Sequence, residues 1–169
     1  EALPDAVVRP ENVEHVQALM RYANSEKIPV IPRGSGSGMC GQVVPVQGGI
    51  ILDMKGMNRI LEINPQDGYC RVEPGVVDDD LNKALKPYGV FYPPTPASSC
   101  AATIGGELAN NASGGRSVKY GAARDAILSM KVVMPSGELL SFGSTTRVAA
   151  SGYSLERLMV GSEGTLAVI

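Results

Sequence analysis

The run Pro32–Gln42, PRGSGSGMCGQ, constrains this chain more than any other stretch. It follows Ile28–Pro32, an apolar, β-branched segment of strand length. Gly34, Gly36, Gly38 and Gly41 then crowd into a span that can continue neither as a strand nor as a helix. What such a span can do is turn successive N–H groups into one concavity, because glycine accepts positive φ. Ser35 and Ser37 add hydroxyl donors. Arg33 adds positive charge, either for a bound anion or for a structural ion pair. A nest of this kind suits a pyrophosphate.

Gly36, Gly38 and Gly41 also spell G-x-G-x-x-G, the dinucleotide fingerprint of a Rossmann unit. That fingerprint needs a strand before it, a helix opening out of it and an acid about 20 residues on. The strand is present and Asp53 is loosely placed as the acid. The helix fails, because Gln42–Gly49 (QVVPVQGG) carries a mid-run proline, ends in Gly-Gly and has no helical period. No Gly-Lys-Ser/Thr follows, so a Walker loop is excluded as well.

Periodicity sets the elements around this loop. Ala6–Val8 reads as a short strand. Val13, Val16, Met20 and Ala23 mark one face of a helix that opens near Asn12 or Pro10-Glu11 and stops at Ser25-Glu26-Lys27. Gly48–Met54 reads as another buried strand. Ile60–Asn64 and Tyr69–Glu73 form a hairpin around Asp67-Gly68. Val77, Leu81, Ala84, Leu85 and Tyr88 give the face of a second helix, with Asp78 as N-cap and Asp78, Asp79 and Asp80 favouring the positive end of its dipole rather than a metal. A short helix opens at Gly105-Gly106 within Ile104–Asn111. Ile127–Met134 and Glu138–Phe142 form a second hairpin, Ser154–Met159 a short helix capped by Ser154, and Thr165–Ile169 a last strand. The expected class is α+β in two lobes, a small β-α-β lobe over residues 1–56 and a larger, mostly antiparallel lobe with helices over 57–169. The long irregular segments between elements are expected to serve a site.

Composition narrows the function. The chain has 169 residues, a net charge of −2 and 5% aromatic residues without tryptophan, which argues against a nucleic-acid partner. No apolar run is long enough to span a membrane, and no signal peptide is visible. Cys40, Cys70 and Cys100 stand too far apart for metal-ligand spacing and read as reduced thiols in a cytoplasmic protein. His15 is the single histidine and falls off the apolar stripe of its helix. Any Ser-His-Asp or Cys-His machinery would have to use that solvated residue. The start at Glu1 rather than Met is expected of a piece of a longer protein.

Three separated stretches carry a family resemblance. They are PRGSGSG after the β-α-β start, YPPTPASSCAATIGGELANNASGGRSVKYGAARD over 92–125, and SGYSLERLMVGSEGTLAVI over 151–169. Together they resemble the FAD-binding domain of the FAD-linked oxidases, of the vanillyl-alcohol-oxidase and p-cresol-methylhydroxylase type. The branch they resemble most contains the glycolate oxidase D subunit and the D-lactate and D-2-hydroxyglutarate dehydrogenases. The resemblance covers essentially the whole chain.

What it implies can be placed residue by residue. Arg33, Gly34, Ser35, Gly36, Ser37, Gly38 and Met39 would form the pyrophosphate loop. Pro94 and Thr95 would lie along the cofactor. Ala102, Thr103, Gly105 and Gly106 would approach the isoalloxazine and phosphates, with Asn111, Gly114 and Gly121 continuing that wall. Glu163, Gly164 and Val168 would hold the adenosine end. Some relatives attach FAD through a histidine in or just after the glycine loop. None stands here, and Cys100 is offset by one position from a linking cysteine, so FAD is expected to be non-covalent. The resemblance further implies oxidation of a D-2-hydroxy acid such as glycolate or D-lactate, by hydride transfer to flavin. A substrate-completing cap domain would follow residue 169, so no catalytic base and no metal ligand is expected in this chain. Electrons would pass to a quinone, an iron–sulfur subunit or a flavoprotein carrier. The alternative is a flavin-binding module or subunit without chemistry of its own. Self-association through an exposed strand near Ile169 and the cap-facing surface is a further expectation.

Overall fold

The computed structural model describes residues 2–169. Its first unit is a three-stranded parallel sheet in which β3 (Ile50–Asp53) lies between β1 (Ala6–Val8) and β2 (Val30–Arg33). All four residues of β3 are buried, which is why that strand is a continuous apolar run rather than an alternating one. Helix α1 (Val13–Glu26) joins β1 to β2. Asn12 caps it by accepting the His15 N–H at 2.9 Å, and Lys27 ends it in the left-handed region at φ 56°. Val16, Met20 and Ala23 are the buried residues of α1, as their spacing predicts, while His15 is exposed. Full burial of Leu52 beneath them contributes about 1.5–3 kcal/mol by transfer alone.

The second unit holds two separate antiparallel hairpins, β4 (Ile60–Asn64) with β5 (Tyr69–Val72) and β6 (Ser129–Val133) with β7 (Leu139–Gly143). Between them run α2 (Asp78–Leu85), α3 (Ile104–Asn110), α4 (Ser117–Tyr120) and α5 (Ala123–Ala126), and α6 (Leu155–Met159) follows β7. Their core gathers Leu81, Leu85, Ile104, Leu108, Val132 and Val160. The first core draws in Val133, Val168 and Leu139 from the second unit. The Gln17 amide of α1 donates to the Gly137 carbonyl at 2.8 Å, at the β6–β7 turn. The two units are therefore joined through α1.

Three local expectations change. Val77, not Asp78, is the N-cap of α2, and Asp78 is the first helical residue with 0% of its surface exposed. Its carboxyl is turned into the protein, so it does not simply face the helix dipole from solvent. Thr165–Ile169 is not a strand but a single bridge, in which Val168 and Val133 exchange hydrogen bonds at 2.8 and 2.9 Å. Val168 is buried, and both its N–H and its carbonyl are taken up by Val133. Ser154 is the N-cap of α6, as expected, but its side chain makes no capping hydrogen bond. Among the described residues no helix is long and apolar enough to cross a membrane.

Candidate functional site

Where β2 ends, the chain enters the glycine loop, and the loop lines a cleft of about 270 Å³. No helix forms between β2 and β3, so the loop does not open a Rossmann helix. Asp53 is also committed elsewhere. Its carboxylate accepts from Arg9 Nε at 3.1 Å and Nη2 at 2.8 Å, and caps the short 3-10 turn Met54–Gly56 through the Lys55 N–H.

The loop presents donors without partners. Among the described residues, no backbone N–H from Ser35 to Cys40 donates a hydrogen bond within the protein. Gly36 sits at φ +75°, and a β-carbon there would lie 2.9 Å from Arg33 Nε. The half-buried guanidinium is thus folded beneath the loop. Arg33 Nε is buried with no hydrogen-bond partner, and Arg33 forms no ion pair among the described residues. Of the two roles the sequence leaves open for Arg33, the ion pair is not the one observed. An unpaired buried donor beside a row of free amides is costly unless an anion completes it.

The opposite wall is the start of α3. Thr103 caps this helix, accepting the Gly106 N–H at 3.3 Å, and Gly34 lies directly against its hydroxyl. The first-turn amides of α3 are satisfied: Ile104 donates to Val76, Gly105 to Pro74 and Glu107 to Thr103, each at 2.8 Å. This wall therefore offers shape and small side chains rather than free N–H groups. At the rim, Glu163 adopts φ 53° and accepts from Gln42 Nε2 at 3.1 Å, linking the loop's exit to the C-terminal segment.

The cleft lining includes Arg33, Gly34, Ser35, Gly36, Ser37, Gly38, Met39, Ala102, Thr103, Gly105, Gly106, Glu163 and Gly164. The other six residues singled out in the sequence lie outside it. Pro94 is fully buried, and the Thr95 hydroxyl donates to the Pro93 carbonyl at 3.3 Å. Asn111 ends α3 at φ 51° and accepts the Arg124 N–H at 3.0 Å. Gly114 packs on the Thr95 carbonyl, and Gly121 closes α4 by donating to the Ser117 carbonyl at 2.9 Å. Val168 belongs to the first core. Asn110 lines the cleft where Asn111 does not, four residues after Gly106 and so on the same helical face, a spacing that could have pointed to it.

Glu107 also borders the cleft and was missed, because an acid in a first helical turn reads as a surface residue. It is 3% exposed. Burial and then the neighbouring Asp78 charge push its carboxyl up to about 8. Burial likewise raises Asp78, and burial followed by the Glu107 charge raises the Tyr92 hydroxyl.

The chain spans about a third of the length of the curated relatives it matches. It is 39% identical over 169 residues to the glycolate oxidase subunit GlcD of Bacillus subtilis, covering 100% of this chain and 36% of that protein. It is 42% identical over 163 residues to a D-lactate dehydrogenase of Archaeoglobus fulgidus, covering 96% of this chain and 36% of the relative. With D-2-hydroxyglutarate dehydrogenase of Stutzerimonas stutzeri the identity is 36% over 166 residues, 98% of this chain and 36% of that one. In three dimensions it matches alkyldihydroxyacetonephosphate synthase with a TM-score of 0.82 at 31% identity, over 96% of this chain and 32% of the other. Residues 4–143 match the FAD binding domain family. With a glycine nest over an unpaired arginine, a small-residue wall facing it and that match over most of its length, the chain belongs to the FAD binding domain family.

Proposed function

We propose that this chain is the FAD-holding part of a flavin-dependent oxidoreductase that converts a D-2-hydroxy acid, of the glycolate or D-lactate class, to the 2-keto acid. One observation carries the placement of the cofactor. Arg33 Nε is buried without a partner beneath a loop whose amides from Ser35 to Cys40 are free within the protein. That arrangement fits a diphosphate. The substrate class follows the printed names of the relatives, two of which are a glycolate oxidase subunit and a D-lactate dehydrogenase.

In this reading, the Arg33–Met39 loop binds the pyrophosphate through amides, the hydroxyls of Ser35 and Ser37 and the Arg33 charge. Ala102, Thr103, Gly105 and Gly106 let backbone approach the ring and phosphates. Glu163 and Gly164 stand at the adenosine end. Pro94, Thr95, Asn111, Gly114, Gly121 and Val168 are not part of the cleft lining and are given no direct contact with the cofactor in this reading. When bound, FAD supplies the hydride acceptor. No histidine or cysteine is among the cleft-lining residues, which supports non-covalent attachment. No described residue is assigned as the base that takes the hydroxyl proton, and the acceptor that reoxidises the flavin belongs to a partner outside this chain.

The test is a visible absorption spectrum of the purified full-length gene product, before and after FAD addition and gel filtration. Anaerobic titration with D-lactate and glycolate follows. Retained flavin bands, released by acid and bleached by one of the two acids, are expected. A protein that keeps its flavin but is bleached by neither acid would refute the substrate class, and one that retains no flavin would refute the site.

A further inference from the structure

Asp78 on α2 and Glu107 on α3 come from different helices, yet both carboxyls are buried, at 0% and 3% exposure. Asp78 Oδ1 accepts from the Asn82 amide. The other atoms of the cluster, Asp78 Oδ2, Glu107 Oε1, Glu107 Oε2 and the Tyr92 hydroxyl, are buried with no hydrogen-bond partner among the described residues. No ion pair reaches either carboxyl among the described residues.

A count of donors decides what this arrangement needs. Two ionised carboxylates present only acceptors, and the Tyr92 hydroxyl alone cannot satisfy three open oxygens. Two unpaired buried charges side by side would also repel in a medium that solvates neither. One proton held between the acids cures both defects, since one carboxyl becomes a donor to the other and the Tyr92 hydroxyl is left to donate to the free oxygen.

We propose that Asp78 and Glu107 share a single proton, and that this proton latches α2 to the cleft helix α3. Glu107 is a positioning residue in this arrangement. It follows Gly105 and Gly106 in α3, so separation of the two acids would shift the wall that faces the glycine loop. The charged and titratable groups around the pair are few. Asp79 adds negative charge to Asp78 from α2, and Arg116 ahead of α4 adds a compensating positive charge. Tyr92 faces Glu107 from the loop after α2, and Cys70 on β5 faces Tyr92.

The pH window has a definite sign. The folded protein holds the proton up to about 8, whereas an unfolded glutamate releases it near 4.5. The latch therefore contributes full stability below 4.5, and that contribution falls away as pH rises toward 8. Its consequence for the cofactor rests on the reading of the cleft as the FAD site. The dissociation constant for FAD should rise about tenfold as pH passes from about 6 to about 9.5.

Three measurements on wild type and Glu107→Gln test the proposal. Infrared spectra in deuterated buffer should show a protonated-carboxyl band at neutral pH that vanishes at alkaline pH and is missing from the variant. The gap in unfolding midpoint between wild type and Glu107→Gln should change as pH rises from 5 toward 8, where a purely structural residue would leave it constant. FAD affinity should depend on pH in wild type and be level in Glu107→Gln. Should that variant not fold, Asp78→Asn serves, because removing the neighbouring charge should move the loss of the band to lower pH. Absence of the band in wild type at neutral pH, or a pH-independent gap, would overturn the shared proton. A titrating band with pH-independent FAD affinity would overturn the link to the cleft. Band and gap as expected in a protein that holds no FAD at any pH would support the latch and count against the cofactor reading instead.

Discussion

Gly34 lies against the hydroxyl of Thr103, with the two in such close contact that a β-carbon on residue 34 would displace that oxygen. The contact joins the start of the glycine loop to the cap of α3 and so sets the width of the cleft. Gly34→Ala should push Thr103 away from the Gly106 N–H and cost about 1–3 kcal/mol through overpacking and loss of the cap. Urea unfolding would show the lower midpoint, and FAD retention should fall with it. An unchanged midpoint would mean that the loop yields freely and does not set the cleft width.

Arg33 should behave in the opposite way. Its guanidinium has no ion-pair partner among the described residues, so removing it should not destabilise the apo protein. Arg33→Met should leave the unfolding midpoint unchanged or raise it, because an unpaired buried donor is lost. FAD should bind about 10- to 100-fold more weakly, the range of a charge-assisted hydrogen bond. ADP carries the diphosphate without the flavin, so it should weaken by a similar factor. Loss confined to FAD would move Arg33 from the diphosphate to the ring.

The glycine loop and β-α-β unit were legible because their signals are local. Val16, Met20 and Ala23 repeat at helical spacing, and the absence of helical period after Gly41 separated this loop from a Rossmann turn. Asp67-Gly68 likewise announced its hairpin. The Asp78–Glu107 pair was not legible, because each acid sits in a first helical turn, where surface exposure is the ordinary expectation, and only the long-range Val77–Thr103 bridge and the core shared by α2 and α3 bring these segments together. Pro94, Asn111 and Gly114 stand among the same small polar residues as Thr103 and Gly105. Which side of that irregular segment faces the cleft depends on long-range packing, which composition does not encode.

Gly114 separates packing from binding. A β-carbon there would collide with the Thr95 backbone carbonyl, which, unlike a flexible side chain, cannot swing aside. Gly114→Ala should lower stability by about 1–3 kcal/mol. Conditions in which the variant remains folded should show near-normal FAD affinity, since residue 114 is not among the cleft lining. A large affinity loss in a fully folded variant, read by fluorescence titration, would instead put residue 114 in contact with the cofactor.

Glu73 should govern the acid limb of stability. It is buried at the end of β5 and accepts from Arg59 three times, from Nε at 3.0 Å, Nη2 at 2.6 Å and the backbone N–H at 2.8 Å. The hydrogen bond from the Arg59 side chain holds its carboxyl below the usual 4.5, against the opposing effect of burial. A depressed folded value means that the unfolded chain takes up its proton first as pH falls. The pair's contribution is therefore fully present well above 4.5 and is lost as pH drops through the folded value. Glu73→Gln keeps the acceptor for the Arg59 N–H but removes the charge. It should lower the unfolding midpoint at neutral pH, and its gap from wild type should close progressively as pH falls below 4.5. Thermal unfolding across that range reads the gap directly. A gap of constant size down to the acid limit would show that the Arg59–Glu73 contact acts through shape and neutral hydrogen bonding, with its charge contributing nothing.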